Sequence, residues 1–135
     1  MVSTKSIKPL KGYKIFNRVF NDSYKYKSSK LLIAVKFDED NSDDLFLGVS
    51  TSKKNSKKAV CRNRVKRLLR ESIREINKEK DSLIYFKNII LIWQVPLDKP
   101  SLLNYNDVYS EVKGLLNRAI SKYNEKNSNS HNQTL

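Results

Sequence analysis

Residues 57–75 read KKAVCRNRVKRLLRESIRE. At a helical step of about 100° per residue, Cys61, Val65, Leu68, Leu69, Ile73 and Ile76 share one side, which predicts a helix from about Ala59 to Asn77. Well away from that stripe gather Asn63, Lys66, Arg67, Arg70 and Arg74, with Arg62 on their flank. Arg64 falls on the other side, near Glu71. Arg62–Lys66, Lys66–Arg70 and Arg70–Arg74 are like-charge pairs four residues apart, each costing about 0.2–0.5 kcal/mol. Only Arg67–Glu71 attracts. Such a face adds nothing to the stability of the chain; it fits an external polyanion.

The flanking sequence points the same way. No acidic residue occurs between Asp44 and Glu71, and nine of the 27 basic residues fall within positions 53–70. Lys53 and Lys54 leave the end of a predicted strand, and Lys57 and Lys58 stand at the helix start. The orphan amides and positive dipole end of a helix favour an anion at that place. Asn63 adds a side chain that both donates and accepts hydrogen bonds. The rival explanation is a solvated helix face, but such faces usually interleave charges of opposite sign. Composition leaves DNA and RNA open. The chain has no zinc spacing, basic-zipper heptads or RNP-type aromatic motif, and no helix-turn-helix pair precedes the basic helix.

Outward from this segment, LLIAVKF (31–37) and LFLGVSTS (45–52) read as strands, and the short acidic loop DEDNSDD (38–44) predicts an antiparallel hairpin between them. KNIILIWQV (87–95) has the near-continuous apolar run of a strand buried on both faces. Phe16, Val19 and Phe20 predict a short N-terminal helix within 7–20. Val108, Val112, Leu115, Leu116, Ala119 and Tyr123 predict a last helix over 105–125, capped by Asn104 or Asn106. The polar residues 127–135 read as a disordered C-terminal tail after a single domain, 1–126. The predicted order is α-β-β-α-β-α, an α+β (α/β sandwich) fold with helices packed on a mixed sheet and the basic helix as crossover.

A chain of 135 residues suffices for one core, and its formal charge of +13 calls for an anionic partner. The lone cysteine, Cys61, rules out an intramolecular disulfide framework and fits a reducing compartment. The stretch MVSTKSIKPLKGYK lacks the apolar core of a secretory signal, and no run approaches the length of a membrane span. The expectation is a soluble, cytoplasmic protein without a membrane partner. No catalytic constellation is visible: the single histidine, His131, lies in the tail, Cys61 faces the core, and the DEDNSDD carboxylates match no metal-loop spacing. The expected protein-side catalytic and metal residues are therefore none.

Ser52-Lys53-Lys54 followed by Ala59-Val60-Cys61-Arg62-Asn63-Arg64-Val65-Lys66-Arg67-Leu68-Leu69-Arg70-Glu71 resembles the signature of the bacterial ribonuclease P protein subunit family. That signature is a strand ending in S/A-K-K, then A-x-x-R-N-R-x-K-R-x-x-R-E on a helix. Phe16-x-x-Val19-Phe20 resembles the family's F-x-x-V-F helix, and Leu47-Gly48-Val49-Ser50 its glycine-containing strand. Two departures stand out. Phe46 occupies a position that is often basic, and Asn55-Ser56-Lys57-Lys58 lacks the glycine common in that turn.

The resemblance implies a ribosomal protein S5 domain 2-like fold with a left-handed β-α-β crossover. It implies a protein subunit, monomeric by itself and 1:1 with its RNA, of the endonuclease that removes the 5′ leader of precursor tRNA. The catalytic centre, with its Mg²⁺, would lie on the RNA. Lys53, Lys54, Lys57, Lys58, Arg62, Asn63, Arg64, Lys66, Arg67 and Arg70 would bind that catalytic RNA. Tyr13, Phe16 and Phe20 would line the leader cleft, with Lys14 and Arg18 beside them, although Phe at helical spacing equally suits a core. The alternative function is a general RNA-binding or ribosome-associated protein without a processing role.

Overall fold

The computed structural model describes residues 4–52, 54, 56–79 and 81–133, with side chains as far as Lys126. The chain runs β1 (Ser6–Pro9), α1 (Tyr13–Asn21), β2 (Tyr24–Lys27), β3 (Leu31–Phe37), β4 (Asp44–Thr51), α2 (Ala59–Lys78), β5 (Phe86–Trp93) and α3 (Tyr105–Gln133), with a 3₁₀ turn at Pro100–Leu102. One mixed sheet has the order β1-β4-β5-β3-β2.

β5 takes the central place because both of its faces are apolar. Ile89, Leu91 and Trp93 face α2 and α3, while Ile90 is fully buried on the opposite face. The expected β3–β4 hairpin does not form. β5 lies between them, antiparallel to β3 and parallel to β4. A β3–β4 pair would leave β5 at an edge with one apolar side in water. The mixed sheet and the crossover role of the basic helix stand, since α2 connects parallel neighbours β4 and β5.

Two short edge strands extend the expected order. β1 pairs parallel to β4, with Ile7 beside Leu45, and β2 pairs antiparallel to β3, with Tyr26 beside Ile33. The alternation of Tyr24 and Tyr26 with Lys25 and Lys27 is a period-two signal, but four residues are too few to stand out. The N-terminal helix begins only at Tyr13, after Gly12 at φ 96°, and β1 occupies the first part of the expected helical stretch.

All six apolar residues predicted for α2 are buried. They meet Val108, Val112, Leu115, Leu116 and Ala119 of α3, and both helices cover one face of the sheet. Asn104 Oδ1 accepts from the Asp107 amide at 2.9 Å and so caps α3. α3 continues to Gln133, through residues whose composition predicted a disordered tail. Propagation adds a hydrogen bond per residue without a new nucleation cost, so a polar end can ride on a packed helix.

One carboxylate of the acidic loop is not a surface charge. Lys5 and Asp38 form a buried pair at 2.5 Å, with side chains 4% and 2% exposed. Lys5 Nζ also donates to the Phe86 carbonyl, and the Lys5 backbone exchanges two hydrogen bonds with the Asn77 amide. This clasp holds β1 against the end of α2. Burial raises the Asp38 pKa, but the Lys5 hydrogen bond, the Asp40 amide and the Lys5 charge outweigh it and leave the carboxyl below its ordinary value.

Because the folded pKa is depressed, the clasp is at full strength above the ordinary Asp value and weakens as pH falls through it. Replacing Asp38 with Asn strands a buried ammonium and should cost about 3 kcal/mol at neutral pH. Urea unfolding across pH checks this: the gap to wild type should close below about pH 4. A gap independent of pH would disprove an ionic clasp.

Candidate nucleic-acid interface

α2 presents its cations on the side opposite its apolar stripe. Asn63, Arg67, Arg70 and Arg74 are exposed and Lys66 is half-buried. Arg67 Nε contacts Glu71 Oε1 at 3.1 Å, four residues on. Among the described residues, Lys54, Lys57, Lys58, Lys66, Arg70 and Arg74 have no carboxylate within ion-pair distance. Lys53 lies outside the described residues.

The approach to α2 is wound tightly. Ser52 Oγ accepts from the Lys54 amide, and the Ser52 carbonyl accepts from the Ser56 amide. Lys58 caps the helix with extended backbone and no side-chain cap, and the first turn holds no acid. The amides that open the helix thus follow Lys54, Lys57 and Lys58 closely in the chain, and no acidic side chain of the first turn competes for them.

Two arginines have structural work. Arg62 folds back so that Nη1 donates to the carbonyls of Ser56 and Lys57, at 3.0 and 2.6 Å. Arg64 turns away from the cationic face; its Nη2 donates to the Leu103 carbonyl at 3.2 Å, and its buried Nε has no partner. The family resemblance assigns both to the RNA-binding set, although the helical wheel already sets Arg64 on the other side. A guanidinium with five donors also suits orphan carbonyls at chain junctions, and the helical wheel does not record those.

The other face of the sheet carries only α1. Strand alternation puts Phe46, Gly48 and Ser50 of β4, Asn88, Ile90 and Ile92 of β5, and Leu32 and Ala34 of β3 on that face. α1 buries none of its residues completely. A Cβ at Gly48 would lie 3.0 Å from the Phe16 ring and 3.4 Å from Ile90, so the glycine provides the seat for that ring. Phe20 is half-buried with Lys25 Nζ 4.7 Å from its ring centroid. Both phenylalanines are thus anchored yet reachable, which answers the choice between core and ligand surface with some of each. Tyr13 is 82% exposed. Leu32, Phe46, Ser50 and Ile92 remain half-buried beside the helix. In the sequence Phe46 stands out only as a departure from a position that is often basic. Its neighbour Asn88 gave no signal.

Against this geometry, comparison with known proteins is decisive. The family model described as Ribonuclease P matches residues 5–120. The chain belongs to the ribonuclease P protein family. It is 37% identical over 117 residues to the ribonuclease P protein component of Microcystis aeruginosa, covering 82% of this chain and 88% of that one. To the component from Clostridium novyi it is 34% identical over 108 residues, covering 77% and 86%. Solved ribonuclease P proteins share the fold. That of Staphylococcus aureus superimposes with TM-score 0.65 at 22% identity over 82% of this chain and 94% of its own. That of Thermotoga maritima gives 0.58 at 21% identity over 76% and 89%. The family match spans β1 to the middle of α3, so the clasp, the α1 face and the basic helix all fall inside it.

The Phe16 seat makes a direct test of how α1 is held. Gly48→Leu should push the ring off the sheet, raising amide exchange in α1 while α2 and α3 keep their protection. Unchanged exchange in α1 would mean that Phe16 does not anchor the helix.

Proposed function

We propose that the chain is the protein subunit of ribonuclease P, binding the catalytic RNA with one face and the 5′ leader of precursor tRNA with the other. The observation that carries this reading is the separation of two unlike surfaces by one sheet. A cationic helix on which Lys66, Arg70 and Arg74 have no acidic partner among the described residues lies on one side, and half-buried aromatic rings over open sheet lie on the other. Lys54, Lys57, Lys58, Asn63, Lys66, Arg67 and Arg70, together with Lys53, would meet phosphates of the catalytic RNA. Arg62 would join them only while still bound to the carbonyls of its own turn. Arg64 would act by fixing α2 to the start of α3.

On the α1 face, Phe16 and Phe20 would stack unpaired leader bases, which contributes about 1–3 kcal/mol per base. Tyr13, with Lys14 and Arg18, would extend that platform. The protein would raise substrate affinity and reduce repulsion between two polyanions. Cleavage of the precursor, leaving the mature tRNA 5′ end, would take place on the RNA subunit. Among the described residues no group of three or more His, Cys, Asp or Glu side chains could hold a metal ion. The Mg²⁺ implied by the family resemblance would be held at the active site of the RNA. A 1:1 complex in the cytoplasm completes the reading, and no helix among the described residues is long and apolar enough to cross a membrane.

A reconstitution separates the possible functions. The chain mixed with a bacterial ribonuclease P RNA and precursor tRNA at low Mg²⁺ should stimulate leader removal. No stimulation would leave a general RNA-binding protein, and cleavage without the RNA would mean an enzyme with its own active site. Lys66→Ala with Arg70→Ala should weaken catalytic-RNA binding about tenfold and flatten the salt dependence by about 0.9 per lost phosphate contact, with Tm unchanged. Arg64→Ala should instead lower stability by about 1 kcal/mol. If the double variant binds RNA normally, the cationic face is misassigned.

A further inference from the structure

Far from α2, at the other edge of the sheet, a second set of cations gathers from two elements. Arg118, Lys122 and Lys126 of α3 repeat at four-residue spacing on one exposed face, the same self-repelling arrangement seen in α2. Among the described residues only Lys122 of these three has an acidic partner, Glu125 at 3.9 Å. Arg118 Nη1 reaches the Lys27 carbonyl of edge strand β2 at 3.4 Å, and Lys126 Nζ reaches the Tyr24 hydroxyl at 3.0 Å. Lys126 also lies 5.1 Å from the centroid of the Tyr24 ring, which is half exposed. Lys25 and Lys27 project from the same strand on its α1 side. Positive charge therefore reaches this edge from both faces of the sheet, around one accessible aromatic ring.

Lysines on an edge strand are explained in part by protection against edge-to-edge pairing. That explanation does not extend to the stack on α3, which no edge strand requires. The ridge is also continuous with the proposed leader surface, because Lys25 stands over the Phe20 ring of α1. The geometry points to a second single-stranded RNA subsite on this ridge, which takes the 5′-distal part of the leader as it passes beyond Phe20. Tyr24 offers a stacking face; Lys27, Arg118 and Lys126 offer phosphate contacts. This inference rests on the proposed leader binding at α1 and extends its footprint across β2.

The test uses the reconstituted holoenzyme and precursor tRNAs with leaders of about 4 and about 16 nucleotides, the span of single-strand site sizes. The variant is Lys27→Ala, Arg118→Ala and Lys126→Ala together, with Lys27→Arg and Lys126→Arg as the charge-conserving control. The triple variant should lose about tenfold in affinity for the long leader, and its salt slope should fall by about 2, at roughly 0.7 per lost single-strand phosphate contact. The short leader should bind as to wild type, and the control should restore the long one. Equal weakening of both leaders, or no weakening of either, overturns the ridge. So does loss of affinity for the catalytic RNA, which would assign the ridge to that partner. If wild type binds both leaders no better than leaderless tRNA, it is the α1 reading that fails.

Discussion

The structure depends on a strand that has no wet side. β5 buries Ile89 and Leu91 toward the two long helices and Ile90 toward α1, so it must have a neighbour on each edge and cover on each face. That requirement separates β3 from β4 and makes β4–α2–β5 a parallel crossover unit. It also keeps α2 on the outside of the sandwich, with its apolar stripe down and its cations outward. The exposure of that cationic face follows from the burial of its connecting strand.

Charge is distributed unevenly over this frame. In the acidic loop three of the five carboxylates meet a lysine, Asp38 with Lys5, Asp44 with Lys8 and Asp40 with Lys87, and after α1 Asp22 meets Lys36. One of these pairs is buried and holds the edge strand β1 in place. The exposed ones contribute little to stability, but they cancel the local field. The basic helix and its approach carry almost no such compensation, with Glu71 engaged by Arg67 alone. The same chain thus pairs many of its charges at one end and leaves the other positively charged, a distribution that favours an anionic partner at α2.

The arginines show where reading by pattern stops. On a helical wheel Arg62 flanks the charged face that holds Arg70, yet Arg62 closes the turn before the helix while Arg70 has no partner among the described residues. Arg64 fastens α2 to the Leu103 carbonyl, a contact between positions 39 apart in the chain. A motif preserves residue types, and one residue type can serve the fold as well as a ligand. The phenylalanines of α1 behave likewise: Phe16 rests on Gly48 and still leaves α1 without a fully buried residue.

Local periodicity and charge by themselves determined the basic helix, its buried residues, the two-sided central strand, the capped last helix and the anionic character of the partner. These are properties of neighbours within a few residues, where spacing alone sets which side chains share a face. Only the tertiary structure decided the strand order, the two edge strands, the Lys5–Asp38 clasp and the carbonyls that Arg62 and Arg64 bind. Apart from the Arg62 turn, each of these depends on groups brought together from distant parts of the chain. β1 has four residues and one inward apolar side chain, so nothing in its own sequence specifies it; Asn77 and Asp38, 72 and 33 residues from Lys5, do. Contacts of that kind compete for burial and hydrogen bonding across the whole domain, and the competition is settled only when the core has packed.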